Sequence, residues 1–486
     1  MTRKVLIVGG VAGGASAAAR LRRLDESAEI IIFERGEHIS FANCGLPYYV
    51  GGVIPDRNSL LVQTPQAMKK RFNIDVRTFS EVVHIIPTEK KVEVRNLLEG
   101  ITYEESYDYL VLSPGATPFR PPVQGIDLPN VFTVRNIPDS DLIKNWVKDE
   151  RASTAVVVGG GFVGLEMAEN LIHAGLKVAL VEAGDQVMMP LDREMANIVH
   201  RYLRRRGIDL YLSERMVKCE GESQVKEVKL ASGTVLPADL VILGTGVLPE
   251  VELARDAGLT VGPTRGIAVN EHLQTSDVSI YAVGDAIQVK NFVSGMETMI
   301  PLAGPANKQG RIVADNICGR SSKYEGTLGT AIAKIFDMVV ATTGLNEKVL
   351  QKTGQRYEVS YTHPEPYATY YPGGNFMSIK LIFDPENSMI LGAQIVGYEG
   401  VDKRIDVLAA CIRKGLNVFD LQELELAYAP PFSSAKDPVN MAGYVAGNIV
   451  NGDMEIVHWH QIEELKAQEA IIIDVRSGPE YWEGAI

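Results

Sequence analysis

Hydrophobic positions fall in short continuous runs separated by helical stretches. Lys4–Gly9 and Ile30–Glu34 read as fully buried strands, and Ala12–Leu24, rich in Ala and Arg, reads as the helix between them. The pattern returns about 150 residues later. Ala155–Val158 is a strand, Val163–Ala174 a helix and Lys177–Val181 a strand. Such alternation predicts two parallel βαβ units, and a spacing this long means a duplicated domain, not a repeat array. Apolar runs starting at Asp108, Asp239 and Ile280 extend the two sheets. Runs at Ala331–Phe336, Ser378–Phe383 and Ile390–Val396, with a helix at Ile405–Lys414, predict a third, antiparallel unit.

Glycines fill both strand–helix turns. The first reads Gly9-Gly10-Val11-Ala12-Gly13-Gly14 and the next strand ends in Glu34-Arg35. Small residues let a pyrophosphate approach the backbone, the helix N-terminus supplies positive potential, and the acid suits a ribose hydroxyl. Val11 replaces the middle glycine of the strict fingerprint. The second turn, Gly159-Gly160-Gly161-Phe162-Val163-Gly164 with Glu182, is a full Gly-x-Gly-x-x-Gly. Glu182 would repel a 2′-phosphate and no cation follows until Arg193, so NADH is expected in preference to NADPH. Two folds imply two dinucleotides. Ser113-Pro114-Gly115 re-enters the first fold, and the Gly244-Thr-Gly246 loop repeats that step after the second. Gly284-Asp285 is expected to hold a flavin ribityl hydroxyl. Pro301-Leu302-Ala303 opens a helix over 301–317 that aims its dipole at a flavin ring edge.

Cys44 follows these signs and has no partner thiol nearby. A two-thiol flavin reductase would carry its second cysteine at position 49, which is Tyr49. Cys219, Cys318 and Cys411 are scattered. A lone thiol beside a flavin pairs with a thiol from outside, or cycles through sulfenate or persulfide. That attack requires a depressed thiol pKa.

The 486 residues suggest about three domains, and near-zero mean hydropathy marks a globular chain. The net charge of −13 disfavours nucleic acid. No apolar run reaches the roughly 18 residues of a membrane span, and the start is not a signal peptide, so the cytoplasm is expected.

The segments Ser40-Phe-Ala-Asn43-Cys44-Gly-Leu-Pro-Tyr and Leu426-Ala-Tyr428-Ala-Pro-Pro-Phe-Ser-Ser-Ala-Lys-Asp-Pro-Val-Asn440 resemble the single-cysteine branch of the pyridine nucleotide–disulfide oxidoreductases. Within it the chain is similar to coenzyme A-disulfide reductases and NADH-dependent persulfide reductases, over residues 1 to about 450. The resemblance implies an α/β fold of two Rossmann-like domains plus an α+β dimerisation domain. FAD binds 1–115 and 242–322, NAD(H) binds 116–241, 323–448 forms a homodimer, and 449–469 is a linker. It implies that Cys44 acts with Tyr428, reaching across from the partner subunit, and with Tyr370 or Tyr371. Glu166 looks like the acid facing the nicotinamide. Coenzyme A is the expected thiol carrier. Its phosphates would meet Arg20 and Arg23 (one helical turn apart), Lys70 and Arg71, with Asn307 and Lys308, while Ser40 and Asn43 flank the thiol. The implied activity is NADH-dependent reduction of a coenzyme A persulfide, polysulfide or disulfide. The alternatives are an NADH oxidase or peroxidase, or a redox sensor without thiol turnover. Peroxidases of this branch carry a histidine where this chain has Ala12, which favours a sulfur substrate.

His458, Trp459 and His460 lie in the linker and lack the spacing of a metal site. Ala470-Ile-Ile-Ile-Asp474-Val-Arg476, followed by Glu480, is similar to the opening strand of a rhodanese domain. Residues 470–486 are therefore expected to begin such a domain, which points to sulfane sulfur.

Overall fold

The computed structural model describes residues 2–148 and 152–482. Lys4–Val8 lies at the centre of a five-stranded parallel sheet, ordered Ile280–Ala282, Tyr109–Leu112, Lys4–Val8, Glu29–Phe33, Asp75–Arg77. Val5, Leu6 and Ile7 are fully buried, as continuous apolar strands must be when both faces of a parallel sheet are covered. The last strand of this sheet comes from far along the chain, so the first nucleotide fold is built from two separate segments. The Gly13–Leu24 helix packs closely along Ala303–Ile317.

A second parallel sheet repeats the plan with Val131–Thr133, Leu240–Leu243, Thr154–Val158, Lys177–Val181 and Ile208–Tyr211. Each sheet has a three-stranded antiparallel companion, Ser80–Ile86 with Lys91–Asn96 and Thr102–Ser106 in one, Met216–Glu220 with Glu227–Leu230 and Val235–Pro237 in the other. Ala116–Pro118 pairs with Val247–Pro249 where the chain passes between the two folds.

The third unit is an antiparallel sheet ordered Ala331–Ile335, Met338–Gly344, Ile390–Gly397, Ser378–Phe383, Glu358–Thr362. Helices Val401–Lys414 and Pro438–Asn451 pack against it. The first of these begins four residues before the expected Ile405. Val401 and Arg404 are buried, and a buried arginine is invisible to a hydrophobic pattern.

Residues 471–475 form no strand. Ile471 is 88% and Ile473 76% exposed, because no sheet edge among the described residues accepts them. The Glu480 side chain and residues 483–486 lie outside the described residues. Among the described residues no helix is long and apolar enough to cross a membrane.

Candidate functional site

The two glycine turns share one geometry. Gly9 has φ +90° and Gly159 φ +109°, and a Cβ on either would come within 2.1–2.2 Å of a backbone carbonyl, Ser113 or Gly244. Only glycine fits there. Glu34 accepts hydrogen bonds from the backbone N–H of Gly10 (3.2 Å) and Gly36 (2.9 Å). Glu182 does the same with Gly160 and Gly184, both at 2.6 Å. Gly161 caps the Phe162–His173 helix, and Gly164 packs so closely on Gly159 that a Cβ would lie 1.9 Å from its carbonyl. Gly246 has a positive φ in the loop after Leu240–Leu243. Ala12, at φ +44°, is a non-glycine in a conformation that glycine favours.

A cavity of about 1000 Å³ opens beside the first turn. It brings together Gly9, Gly10, Ala12, Gly13, Glu34 and Arg35 with Asn43 and Cys44. Ser113, Pro114, Gly115, Gly284, Asp285, Pro301 and Ala303 line it too. Gly14 and Leu302 are not part of its lining. A second cavity of about 390 Å³ shares Gly9, Glu34, Arg35 and Pro114 and reaches Ser80–Val83. The residues fit an extended dinucleotide. The Gly9 backbone is bare, and the Asn43 Oδ1 is buried without a hydrogen-bond partner while Asn43 lines the cavity. Burial raises the Asp285 carboxyl, opposed by Arg135. Arg135 also lines the cavity and was not expected from the sequence.

The same cavity continues to Ser40, Arg20, Arg23, Arg71 and Asn307. Arg23 and Arg71 face the Phe72 ring at 5.4 and 5.1 Å from its centroid. Arg20 is bonded to Asp315 at 2.8 Å. Asn307 accepts from Ser16. Lys70 and Lys308, expected here, are not in the lining. Lys70 is exposed on the Pro65–Phe72 helix, and the Lys308 ammonium sits 5.7 Å from the Tyr324 ring centroid, its pKa lowered by burial. Arg311 takes the place expected for Lys308. It stands four residues after Asn307 on one helix face, so its signal was present in the sequence.

Cys44 lies in the single turn Asn43–Gly45, exposed to the cavity. Its thiol is raised, not depressed as expected, by burial first and by Glu166 next. The following helix, Leu46–Val50, is only five residues, and the charges acting on the thiol are the carboxyls of Glu166 and Asp285. Burial, with Glu169, pushes Glu166 up to about 7, opposed by the Tyr48 hydroxyl.

The hydroxyls of Tyr370 and Tyr428 pair at 3.1 Å. Tyr371 instead packs edge-on against Tyr367. Both tyrosines are exposed, as are Phe376 and Phe432. In the linker, His458 bonds to Glu358 at 2.7 Å and stacks on His460. Among the described residues, one carboxylate cluster has metal-like spacing, Asp192, Glu194 and Glu347, and the Lys380 ammonium bonds to all three.

Residues 3–310 match the profile of the pyridine nucleotide-disulphide oxidoreductases, and 330–438 that of their dimerisation domain. The coenzyme A disulfide reductase of Staphylococcus haemolyticus is 36% identical over 92% of this chain and 100% of its own. The structure of reduced Bacillus anthracis CoADR-RHD is 52% identical, with a TM-score of 0.98, over 100% of this chain and 87% of that one. A NAD-dependent persulfide reductase from A. fulgidus is 40% identical, with a TM-score of 0.90, over 93% and 84%.

Proposed function

This chain belongs to the pyridine nucleotide-disulphide oxidoreductase family, and we propose that it is an FAD-dependent reductase passing electrons from NADH to a coenzyme A persulfide, polysulfide or disulfide. One observation carries this reading. A single thiol, Cys44, opens on one cavity that is lined both by a dinucleotide cradle and by Arg23, Arg71 and Arg311. The cations suit the phosphates of a coenzyme A arm. The Gly9–Gly14 turn, Glu34 and the Gly284–Asp285 turn would hold FAD, which would supply a two-electron carrier. NADH is taken by the Gly159–Gly164 turn with Glu182 on its ribose.

Cys44, as thiolate, attacks the sulfur–sulfur bond of the substrate. A Cys44–sulfur bond forms, the substrate bond breaks, and the departing thiolate takes a proton. Two electrons from NADH then break the mixed disulfide and regenerate Cys44. For a disulfide the sum is NADH, a proton and RSSR giving NAD⁺ and two RSH. Tyr428 and Tyr370, contributed by the partner in a homodimer, are the proton donors to the departing thiolate. Residues 1–115 with 242–322 are read as the FAD-binding domain, 116–241 as the NAD(H)-binding domain, 323–448 as the dimerisation domain, and 470–486 as the opening of a rhodanese-like unit.

The test is steady-state NADH consumption with coenzyme A persulfide and with coenzyme A disulfide, matched to sulfide and thiol released. Stoichiometric product supports the reading. NADH consumption that depends only on oxygen rejects it.

A further inference from the structure

Two loops carry the tyrosine pair, and one buried side chain bonds to both. Arg404, 1% exposed, lies in the first turn of the Val401–Lys414 helix. Its Nη2 donates to the Pro366 carbonyl at 2.8 Å, to Ser433 Oγ at 3.1 Å and to Asp437 Oδ2 at 3.0 Å. Its Nη1 donates to the Gly400 carbonyl at 3.2 Å.

Two of these anchors, Pro366 and Ser433, lie one short turn from a tyrosine of the pair. Pro366 precedes Tyr370 by a few residues, through a turn closed by the Tyr371 N–H on the Ala368 carbonyl at 2.8 Å. Tyr428 leads into a turn closed by the Phe432 and Ser433 N–H groups on the Ala429 carbonyl, at 2.8 and 3.1 Å. Asp437 is itself fixed, since it accepts from Ser433 Oγ at 2.7 Å and from the Val439 N–H at 3.0 Å. The neighbouring Lys403 reaches the Ala427 carbonyl at 3.2 Å, on the other side of Tyr428.

Burying a guanidinium costs several kcal/mol unless its donors are satisfied. Here satisfaction comes from both loops at once. A planar fork with five N–H groups reaches acceptors in both, whereas the point charge of lysine does not. The backbone makes room for it, because a Cβ at Gly400 would lie 2.1 Å from Arg404 Nη1. None of the chemistry assigned to Cys44 or to the glycine turns uses this cation.

We propose that Arg404 is the positioning residue of the Tyr370–Tyr428 pair, tying the 366–371 loop to the 428–437 loop so that the two hydroxyls meet. This rests on the reading that the pair serves the sulfur chemistry. Loss of the clamp separates the hydroxyls and leaves both nucleotide folds as they are.

The experiment uses the FAD-loaded protein carrying Arg404→Met, and Ser433→Ala as the milder variant that removes the Arg404–Ser433 and Ser433–Asp437 bonds without a large cavity. Backbone hydrogen exchange is followed at Tyr371 and Phe432, whose amides close the two turns. Turnover of coenzyme A disulfide is measured in Arg404→Met, Tyr428→Phe and the double variant. Expected is exchange faster by about tenfold at both amides in Arg404→Met, the size of one net hydrogen bond, and a smaller rise at both in Ser433→Ala. Turnover in the double variant is expected to equal that of Tyr428→Phe alone, with flavin reduction by NADH retained. Unchanged exchange, or faster exchange in one loop only, overturns the clamp. Losses that multiply in the double variant overturn the action through the tyrosines. Loosened turns with full turnover would keep the clamp and reject the catalytic reading of the pair.

Discussion

The hydroxyl oxygens of Tyr370 and Tyr428 stand 3.1 Å apart, although the residues are separated by 58 positions in the chain. One hydroxyl donates to the other, and the Tyr428 bond raises the Tyr370 phenol. Tyr428→Phe is expected to lower turnover on the order of 100-fold, the usual scale for a proton donor, with flavin reduction by NADH unchanged. Tyr370→Phe should act on the same step, and the double variant should be little worse than the more severe single one. Steady-state turnover beside single-turnover flavin reduction checks this, and an unchanged rate in Tyr428→Phe removes the pair from the mechanism.

Glu166 gives a pH prediction. Its carboxyl is raised to about 7 and becomes charged as pH rises through that value. The charge opposes ionisation of Cys44, which also feels Asp285, while Tyr48 and Glu169 face Glu166. Alkylation of Cys44 in the wild type should therefore climb less steeply above about 7 than that of an isolated thiol. Glu166→Gln should restore a simple titration and raise the alkaline rate by about threefold, equivalent to half a pKa unit. Identical profiles in the two proteins would separate Glu166 from the thiol.

Lys380 is fully buried among Asp192, Glu194 and Glu347, and joins the second nucleotide fold to the antiparallel unit. Lys380→Met leaves three carboxylates without their cation. A loss of about 3–5 kcal/mol in denaturant unfolding is expected, because breaking a buried pair strands the remaining charge. A change below about 1 kcal/mol, the range of an exposed ion pair, would show that the cluster is relieved in some other way.

These cases mark what local patterns reveal. The glycine turns, Glu34 and Glu182 were legible because strand, tight turn, helix and acid follow one another in sequence. Cys44 stood out for the same local reason. Arg404 and Lys380 were not, since a lone cation in a helix or strand reads as solvated until tertiary partners are known. Tyr370 and Tyr371 could not be told apart because adjacent strand-end aromatics differ only in what they meet across the fold. Ile471–Ile473 shows the converse, an apolar strand pattern with no sheet to join among the described residues.

Glu182 spends both carboxylate oxygens on backbone N–H groups at the second turn. Arg193, the next cation, pairs with Asp185 at 2.7 Å. Glu182→Ala is expected to raise the ratio of kcat/KM for NADPH over NADH by about tenfold, a change of about 1.4 kcal/mol in discrimination. An unaltered ratio would place the ribose elsewhere.

In the proposed reaction, electrons from NADH leave through the Cys44 sulfur. The most direct measurement is anaerobic stopped-flow of the NADH-reduced protein mixed separately with coenzyme A persulfide and coenzyme A disulfide, in wild type and Cys44→Ser. Fast flavin reoxidation by at least one of these substrates is expected in the wild type, and none in Cys44→Ser. Equal reoxidation of both proteins, or reoxidation by oxygen alone, would contradict it.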